Sequence, residues 1–210
     1  MKLYWSPTSP YTRKVRAVII EKELSDSFEH IPTNVWSDPA AFFAINPLGK
    51  IPAIVLDDGT PLYDSPAICQ YLDAHPAAKG APLYSQGEAR WTVMRAEALA
   101  DGILDAAVGM VVETRKPGDE RSPFMVARWT TQIGRALDQA MPELAKLPDG
   151  FTMGHLALAC ALGYLDFRHP HIAWRDGRPE LAAWFEALSP RPCLARTPPR
   201  IWGETTSLGN

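Results

Sequence analysis

The sequence predicts a small α/β domain followed by a larger all-helical one. Three observations carry that reading. Over residues 1–75, short apolar runs alternate with helix-opening Ser-Pro pairs. Residues 76–84 then hold two prolines and a glycine, the composition of a linker. Beyond them every apolar pattern has helical spacing. The expected boundaries are therefore 1–75 for the α/β domain, 76–84 for the linker and 85–210 for the helical domain.

Each element follows from local chemistry. Lys2-Leu3-Tyr4-Trp5 alternates and stops at Ser6-Pro7, as a short strand does. Ser9-Pro10 opens a helix, with serine at the N-cap and proline at the first helical position. Val15, Val18 and Ile19 give that helix an apolar face. Residues 27–32 read as a second strand and residues 39–45 as a short helix. Residues 51–56 form an apolar strand, Asp57-Asp58-Gly59 a hairpin turn, and residues 60–63 the returning strand. Asp64-Ser65-Pro66 starts another helix, running through Ile68, Cys69 and Leu72. Ser85-Gln86-Gly87-Glu88 has the pattern of a capping box. It is expected to open a long helix that Lys116-Pro117-Gly118 ends. Ser122-Pro123 starts a helix to about residue 146. Thr152 caps an apolar stretch over 156–165, which predicts a buried central helix. Residues 179–188 form a last helix, and a proline-rich tail from Ser189 is expected to wrap the surface.

Composition removes whole classes of function. Hydrophobic residues at 46% and charged residues at 21% describe an ordinary globular chain. The net charge of −3, with no basic stripe, argues against nucleic acid. No apolar run reaches the length of about 18 residues that crosses a membrane. Pro7 interrupts any signal-peptide core. Cys69, Cys160 and Cys193 are an odd, scattered set, expected as buried thiols in the cytoplasm. The five histidines, His169 and His171 among them, make no ligand cluster, so no metal is expected.

Three positions could carry chemistry. Ser9 sits on a helix N-terminus at the carboxyl edge of a β-α unit, where free amides and the dipole favour an anion. The simpler reading is a helix cap worth about 1 kcal/mol. In Lys50-Ile51-Pro52, a proline opens an apolar strand. It is either an ordinary trans residue or a cis bond that turns the preceding backbone toward a ligand. Asp64-Ser65-Pro66 is again either a cap or a carboxylate-binding helix start.

Asn46-Pro47-Leu48-Gly49-Lys50-Ile51-Pro52, followed by Asp64-Ser65-Pro66-Ala67-Ile68 and Tyr71-Leu72, resembles the glutathione transferase superfamily over essentially the whole chain. The opening Ser6-Pro7-Thr8-Ser9-Pro10-Tyr11-Thr12-Arg13-Lys14-Val15-Arg16 is similar to a group of bacterial, serine-type members. The resemblance implies an α/β thioredoxin-like N-terminal domain and an all-α C-terminal domain. It implies that Ser9 donates a hydrogen bond to the glutathione sulfur and that Ile51 pairs its backbone with the cysteinyl moiety, with Pro52 cis. It also implies that Asp64 and Ser65 bind the γ-glutamyl end, and that Lys50 reaches the glycyl carboxylate. The implied activity is a cytoplasmic, detoxifying transferase with glutathione as co-substrate and a small hydrophobic electrophile as partner.

Magnitudes agree with that role. A free thiol has a pKa of about 8.5. Lowering it by about two units takes about 2.7 kcal/mol. A charge-assisted hydrogen bond of about 1.5–3 kcal/mol and a dipole contribution of about 0.3–1 kcal/mol reach that scale.

Some residues depart from the family. Ser9-Pro10-Tyr11-Thr12 resembles the Cys-Pro-Tyr-Cys of glutaredoxins with both sulfurs replaced by hydroxyls, which disfavours redox thiol chemistry. Asp64 stands where the family usually has Glu or Gln, implying a shorter reach or a bridging water. In Thr152-Met153-Gly154-His155, histidine stands where the family's capping box commonly has Asp, which puts the reciprocal bond in question.

The electrophile pocket is expected between the domains, with Tyr11, Met110, Val111 and Thr114 as candidates; the plainer reading of each is core. Glu97, Asp101 and Asp105 form an acidic column at helical spacing. It is either a solvated face or a contact of Asp101 or Asp105 to the glutathione ammonium, made across the interface of the homodimer the resemblance implies. Two other readings stay open: a glutathione-dependent reductase, dehalogenase or ether-cleaving enzyme, and a non-catalytic glutathione-binding or regulatory module.

Overall fold

The structure, a computed structural model, describes residues 1–37 and 39–203. Residues 204–210, the end of the expected tail, lie outside the described residues. The chain divides into two compact units, Met1–Pro82 together with Pro192 onward, and Leu83–Arg191.

The first unit is built on four strands, β1 Lys2–Trp5, β2 Glu29–Pro32, β3 Ala53–Val55 and β4 Pro61–Leu62, in the order β2-β1-β3-β4. β2 runs parallel to β1, so the chain crosses over between them through α1, Pro10–Glu21. β3 is antiparallel to β1, and β4 to β3. Alternation along β1 turns Leu3 and Trp5 to one face and Tyr4 to the other. Arg16 of α1 lies over Trp5, while Tyr4 meets Phe42 of the short α2, Ala40–Phe43. α1 packs on α3, Ser65–Asp73. Leu3, Val15, Val18, Ile54, Ile68 and Leu72 are fully buried between them. A buried ion pair that the sequence did not announce ties these helices together. Lys22 Nζ lies 3.0 Å from Asp73 Oδ1 and also donates to the Ala81 carbonyl at 2.9 Å.

The tail corrects the expected 85–210 boundary. Its short helix, Pro192–Ala195, packs on α1 with Cys193 and Leu194 buried. Further on, the Arg200 amide donates to the Pro7 carbonyl at 3.1 Å. Residues 192–203 therefore complete the α/β unit, not the helical one.

The second unit holds α4 Ala89–Arg115, α5 Pro123–Leu144, α6 Met153–Arg168 and α7 Pro179–Leu188. α6 is buried from Leu156 to Leu165, as the all-round apolar stretch predicts, and packs against α4. Ser122 caps α5, accepting from the Met125 amide at 3.3 Å. The capping box expected at Ser85 does not form. Gly87 turns through φ +60°, a left-handed conformation that interrupts the helical run. α4 accordingly starts later, from Glu88, whose side chain makes no cap.

At α6 the box does form, with histidine in place of an acid. His155 Nδ1 accepts from the Thr152 amide at 3.2 Å, and the Thr152 side chain accepts from the His155 backbone. The question raised by the histidine is thereby answered: an unprotonated ring nitrogen is an acceptor and does the work of a carboxylate.

Candidate functional site

Strand pairing brings the first two predicted segments, and the third, to one edge of the sheet. Tyr4 opposes Ala53, so the end of β1 and the start of β3 lie together. Ile54 opposes Leu62, so the end of β4 lies at that same edge. Ser9 follows β1, Ile51-Pro52 precedes β3, and Asp64-Ser65 follows β4. The opposite edge carries a polar concavity of about 480 Å³, lined by Lys2, Glu29, Val55 and Asp57 among others. None of the predicted residues lines it.

Ser9 is half-buried at the N-cap of α1, and its Oγ accepts from the Thr12 amide at 3.2 Å. A hydroxyl has one donor and two acceptor sites, so capping leaves the Ser9 O–H proton available. The cap and the anion site are thus compatible uses of one side chain. Thr12 is 1% exposed, and its hydroxyl has no hydrogen-bond partner among the described residues. Ser6, a second hydroxyl close by in the sequence, is engaged with Thr8, Oγ to Oγ1, at 2.9 Å.

The Ile51–Pro52 peptide is cis, as is Tyr63–Asp64. Ahead of the proline, Asn46 shapes the turn. It is 1% exposed, donates through Nδ2 to the Lys50 carbonyl at 2.7 Å and accepts from the Leu48 amide at 3.1 Å. Gly49 completes the turn at φ +63°. Asn46 thus holds the backbone that leads into Ile51-Pro52. Its sequence signature is an asparagine just before Pro-x-Gly, bonding backbone two residues on. The Lys50 side chain is exposed.

At α3 the first helical bond runs from the Ile68 amide to the Asp64 carbonyl at 3.0 Å, and Asp64 makes no side-chain cap. The Ser65 and Ala67 amides precede that ladder. Ser65 is 3% exposed and Asp64 is exposed.

The remaining candidates divide between the units. Tyr11 is half-buried on α1, whereas Asp101, Met110, Val111 and Thr114 belong to α4. Met110 is buried, Val111 half-buried, and Thr114 exposed with its hydroxyl donating to the Val111 carbonyl at 2.7 Å. The acidic column is not one solvated face. Glu97 is 3% exposed and accepts from the Tyr84 hydroxyl at 2.7 Å; Asp101 is half-buried and Asp105 exposed.

Family models described as the N-terminal and C-terminal domains of glutathione S-transferase match residues 8–75 and 125–187. The Escherichia coli K12 protein named "Uncharacterized GST-like protein YibF" is 36% identical over 203 residues, covering 95% of this chain and 98% of that one. Glutathione S-transferase 3 of Zea mays is 27% identical over 209 residues, covering 94% and 92%. Among solved structures, a glutathione transferase family member from Pseudomonas fluorescens Pf-5 with bound glutathione aligns at a TM-score of 0.88 and 38% identity, covering 95% of this chain and 99% of that one. A glutathione S-transferase from Methylobacillus flagellatus KT, also with glutathione bound, aligns at 0.86 and 36%, covering 95% and 99%. With both domain models matched in order and a relative this similar over nearly its full length, the chain belongs to the glutathione transferase superfamily.

Proposed function

We propose that this protein is a cytoplasmic glutathione transferase in which Ser9 stabilises the glutathione thiolate for attack on a small hydrophobic electrophile. The observation that carries the reading is the state of Ser9. Its oxygen is held by the Thr12 amide on a helix N-terminus, with its proton still available to a sulfur. Glutathione itself is supported by the glutathione-bound Pseudomonas fluorescens relative, 38% identical. In this reading Ile51 offers backbone to the cysteinyl part and Pro52 fixes the bend. The uncapped start of α3, with Asp64 and Ser65, takes the γ-glutamyl end. Lys50 balances the glycyl carboxylate, and Asp101 or Asp105 of a partner copy is a candidate for the ammonium.

The chemistry needs no protein nucleophile. The glutathione sulfur attacks, the electrophile's leaving group or ring oxygen takes the electron pair, and the Ser9 hydroxyl keeps its own proton throughout. Ser9→Ala should lower kcat/KM by about 10²-fold, or about 2.7 kcal/mol, with little change in glutathione affinity. Loss from Ser6→Ala with Ser9→Ala near wild type would transfer the role to Ser6, and loss from Tyr11→Phe would transfer it to the phenol.

A homodimer pairing through α3 and α4 belongs to the same reading. Trp91 on α4 is 62% exposed, a large apolar group for a partner copy to cover. Light scattering should give twice the 23.2 kDa chain mass. A monomer at micromolar concentration would remove the dimer from the reading.

A further inference from the structure

A second group of polar side chains gathers at the β2 end of the same sheet. The Arg16 guanidinium lies 4.4 Å from the centre of the Trp5 ring. The His30 ring meets that indole edge-on, with centroids 6.1 Å apart. Arg200 is tethered nearby through its amide bond to the Pro7 carbonyl. One turn before Arg16 on α1, Arg13 reaches the Leu194 carbonyl at 3.5 Å through Nη2.

Several buried polar atoms of this group have no partner among the described residues. Trp5 is 3% exposed, yet its Nε1–H has no hydrogen-bond partner among the described residues. The same holds for His30 Nδ1 and for Arg13 Nε and Nη1. The electrostatics point the same way. Burial first and Arg200 second pull the Arg16 pKa down to about 10. Burial first and Arg16 second hold His30 below its ordinary value. Every neighbouring charge named by these shifts is positive.

Such a group is costly by itself. Each buried unsatisfied donor costs about 1–3 kcal/mol, and like charges oppose one another. An acceptor-only anion relieves both. Arginine and tryptophan side chains only donate, so a ligand bearing donors gains nothing from them. Guanidinium forks match the oxygens of phosphate, and a phosphate presents more acceptor oxygens than a carboxylate does.

We propose that Trp5, Arg16, His30 and Arg200 form a binding site for a phosphate-type oxyanion, with Arg13 adding charge along α1. The bound anion joins α1 to the tail, across the segment where Arg200 already holds Pro7. The site lies on the β2 side of β1, whereas Asp64 and Ser65 follow β4 at the far end of the strand order.

The test is an indole 15N NMR titration of the full chain at constant ionic strength, with saturating glutathione present to occupy any anion site at α3. Trp5→Phe identifies the Trp5 resonance. Inorganic phosphate at roughly millimolar concentration should shift it. Glycerol 3-phosphate, run alongside, tells free phosphate from a phosphate ester by which binds tighter. Arg200→Gln, an exposed change that leaves the fold intact, and Arg16→Gln should each weaken phosphate by about tenfold or more; Ser65→Ala should not. A silent Trp5 resonance, equal shifts with acetate, or full phosphate affinity in Arg200→Gln together with Arg16→Gln would overturn the proposal.

Discussion

Two helix starts in this molecule carry similar sequence signals and end in opposite states. α3 begins at Asp64-Ser65-Pro66 and α6 at Thr152-Met153-Gly154-His155. At α6 the cap is reciprocal: Thr152 and His155 each satisfy the other's backbone amide. At α3 the residue in the cap position makes no side-chain bond, and the amides of Ser65 and Ala67 lie ahead of the first helical bond. A cap residue in the sequence therefore says where a helix begins, not what its free amides are for. The α6 start is spent on folding. The α3 start has its anion-attracting end still available, which is what a carboxylate ligand requires.

The largest expected effect breaks the α6 side of this contrast. Gly154, in the first turn of α6, has no room for a side chain. A Cβ there would lie 2.8 Å from the Ala96 Cβ on α4 and 3.1 Å from Leu147. Leu147 can move; Ala96 is fixed to a buried helix face. Gly154→Val should force α6 from α4 and destabilise by about 3 kcal/mol, lowering Tm by on the order of 5–10 °C in a chain of this size. Thermal unfolding followed by circular dichroism measures it. A melting point within about 2 °C of wild type would mean that the two helices are not in the close register described.

On the α3 side the expected effect falls on binding instead. Ser65→Ala removes a hydroxyl beside the open amides and should weaken glutathione by about 10- to 100-fold, equivalent to the about 1.5–3 kcal/mol of a hydrogen bond to a charged group. Calorimetric titration gives the affinity. Unfolding midpoints should stay close to wild type, since Ser65 caps nothing in the fold. Undiminished glutathione affinity with a lowered midpoint would make α3 a structural start like α6, and the contrast would vanish.

How much of this was legible in the sequence depends on the range of the interaction. Ser9-Pro10 and Ser122-Pro123 were readable because a cap and its amide are three residues apart. Both bonds, Thr12 N–H to Ser9 Oγ and Met125 N–H to Ser122 Oγ, are local. The Ser85 pattern misled because its box also required helical backbone at Gly87, and glycine there takes φ +60°. Long-range pairs left no trace. No local pattern links Lys22 to Asp73, yet they are buried together at 3.0 Å because α1 and α3 pack side by side. Glu97 looked like one member of an acidic stripe, whereas its partner Tyr84 lies before α4 begins. The tail's return to α1 depends on tertiary burial of Cys193 and Leu194, which no spacing rule encodes. For the site, the three segments were each visible. Their shared edge follows only from the pairing of β1, β3 and β4.

The smallest expected effect is the most specific to this chain, because it concerns a histidine performing an aspartate's task. His155 accepts through Nδ1, so it must be neutral there, with its proton on Nε2. Burial first, then the Arg191 guanidinium, hold its pKa below the usual 6.5. The unfolded chain therefore takes up this proton first as pH falls. Between 6.5 and the lower folded value the unfolded state binds more protons, so stability is full above 6.5 and declines as pH drops through that window. Below the folded value the ring is charged in both states, and the bond to the Thr152 amide is gone. The loss is of the size of a helix cap, about 1 kcal/mol. His30 and His169 are also held below 6.5, chiefly by burial, and add to the slope in the same direction. His155→Asp separates the contributions. A carboxylate at that position can still accept from Thr152, and it stays ionised until about pH 4. Aspartate also loses the ring's packing near Phe151 and Trp184, with centroids 6.1 and 6.3 Å away, so its absolute stability is not the readout. The readout is the slope of the urea midpoint between pH 7 and pH 5, which should be shallower in His155→Asp than in wild type. Equal slopes would mean that the Thr152–His155 pair does not titrate as a cap. The pH dependence of stability would then belong to His30 and His169.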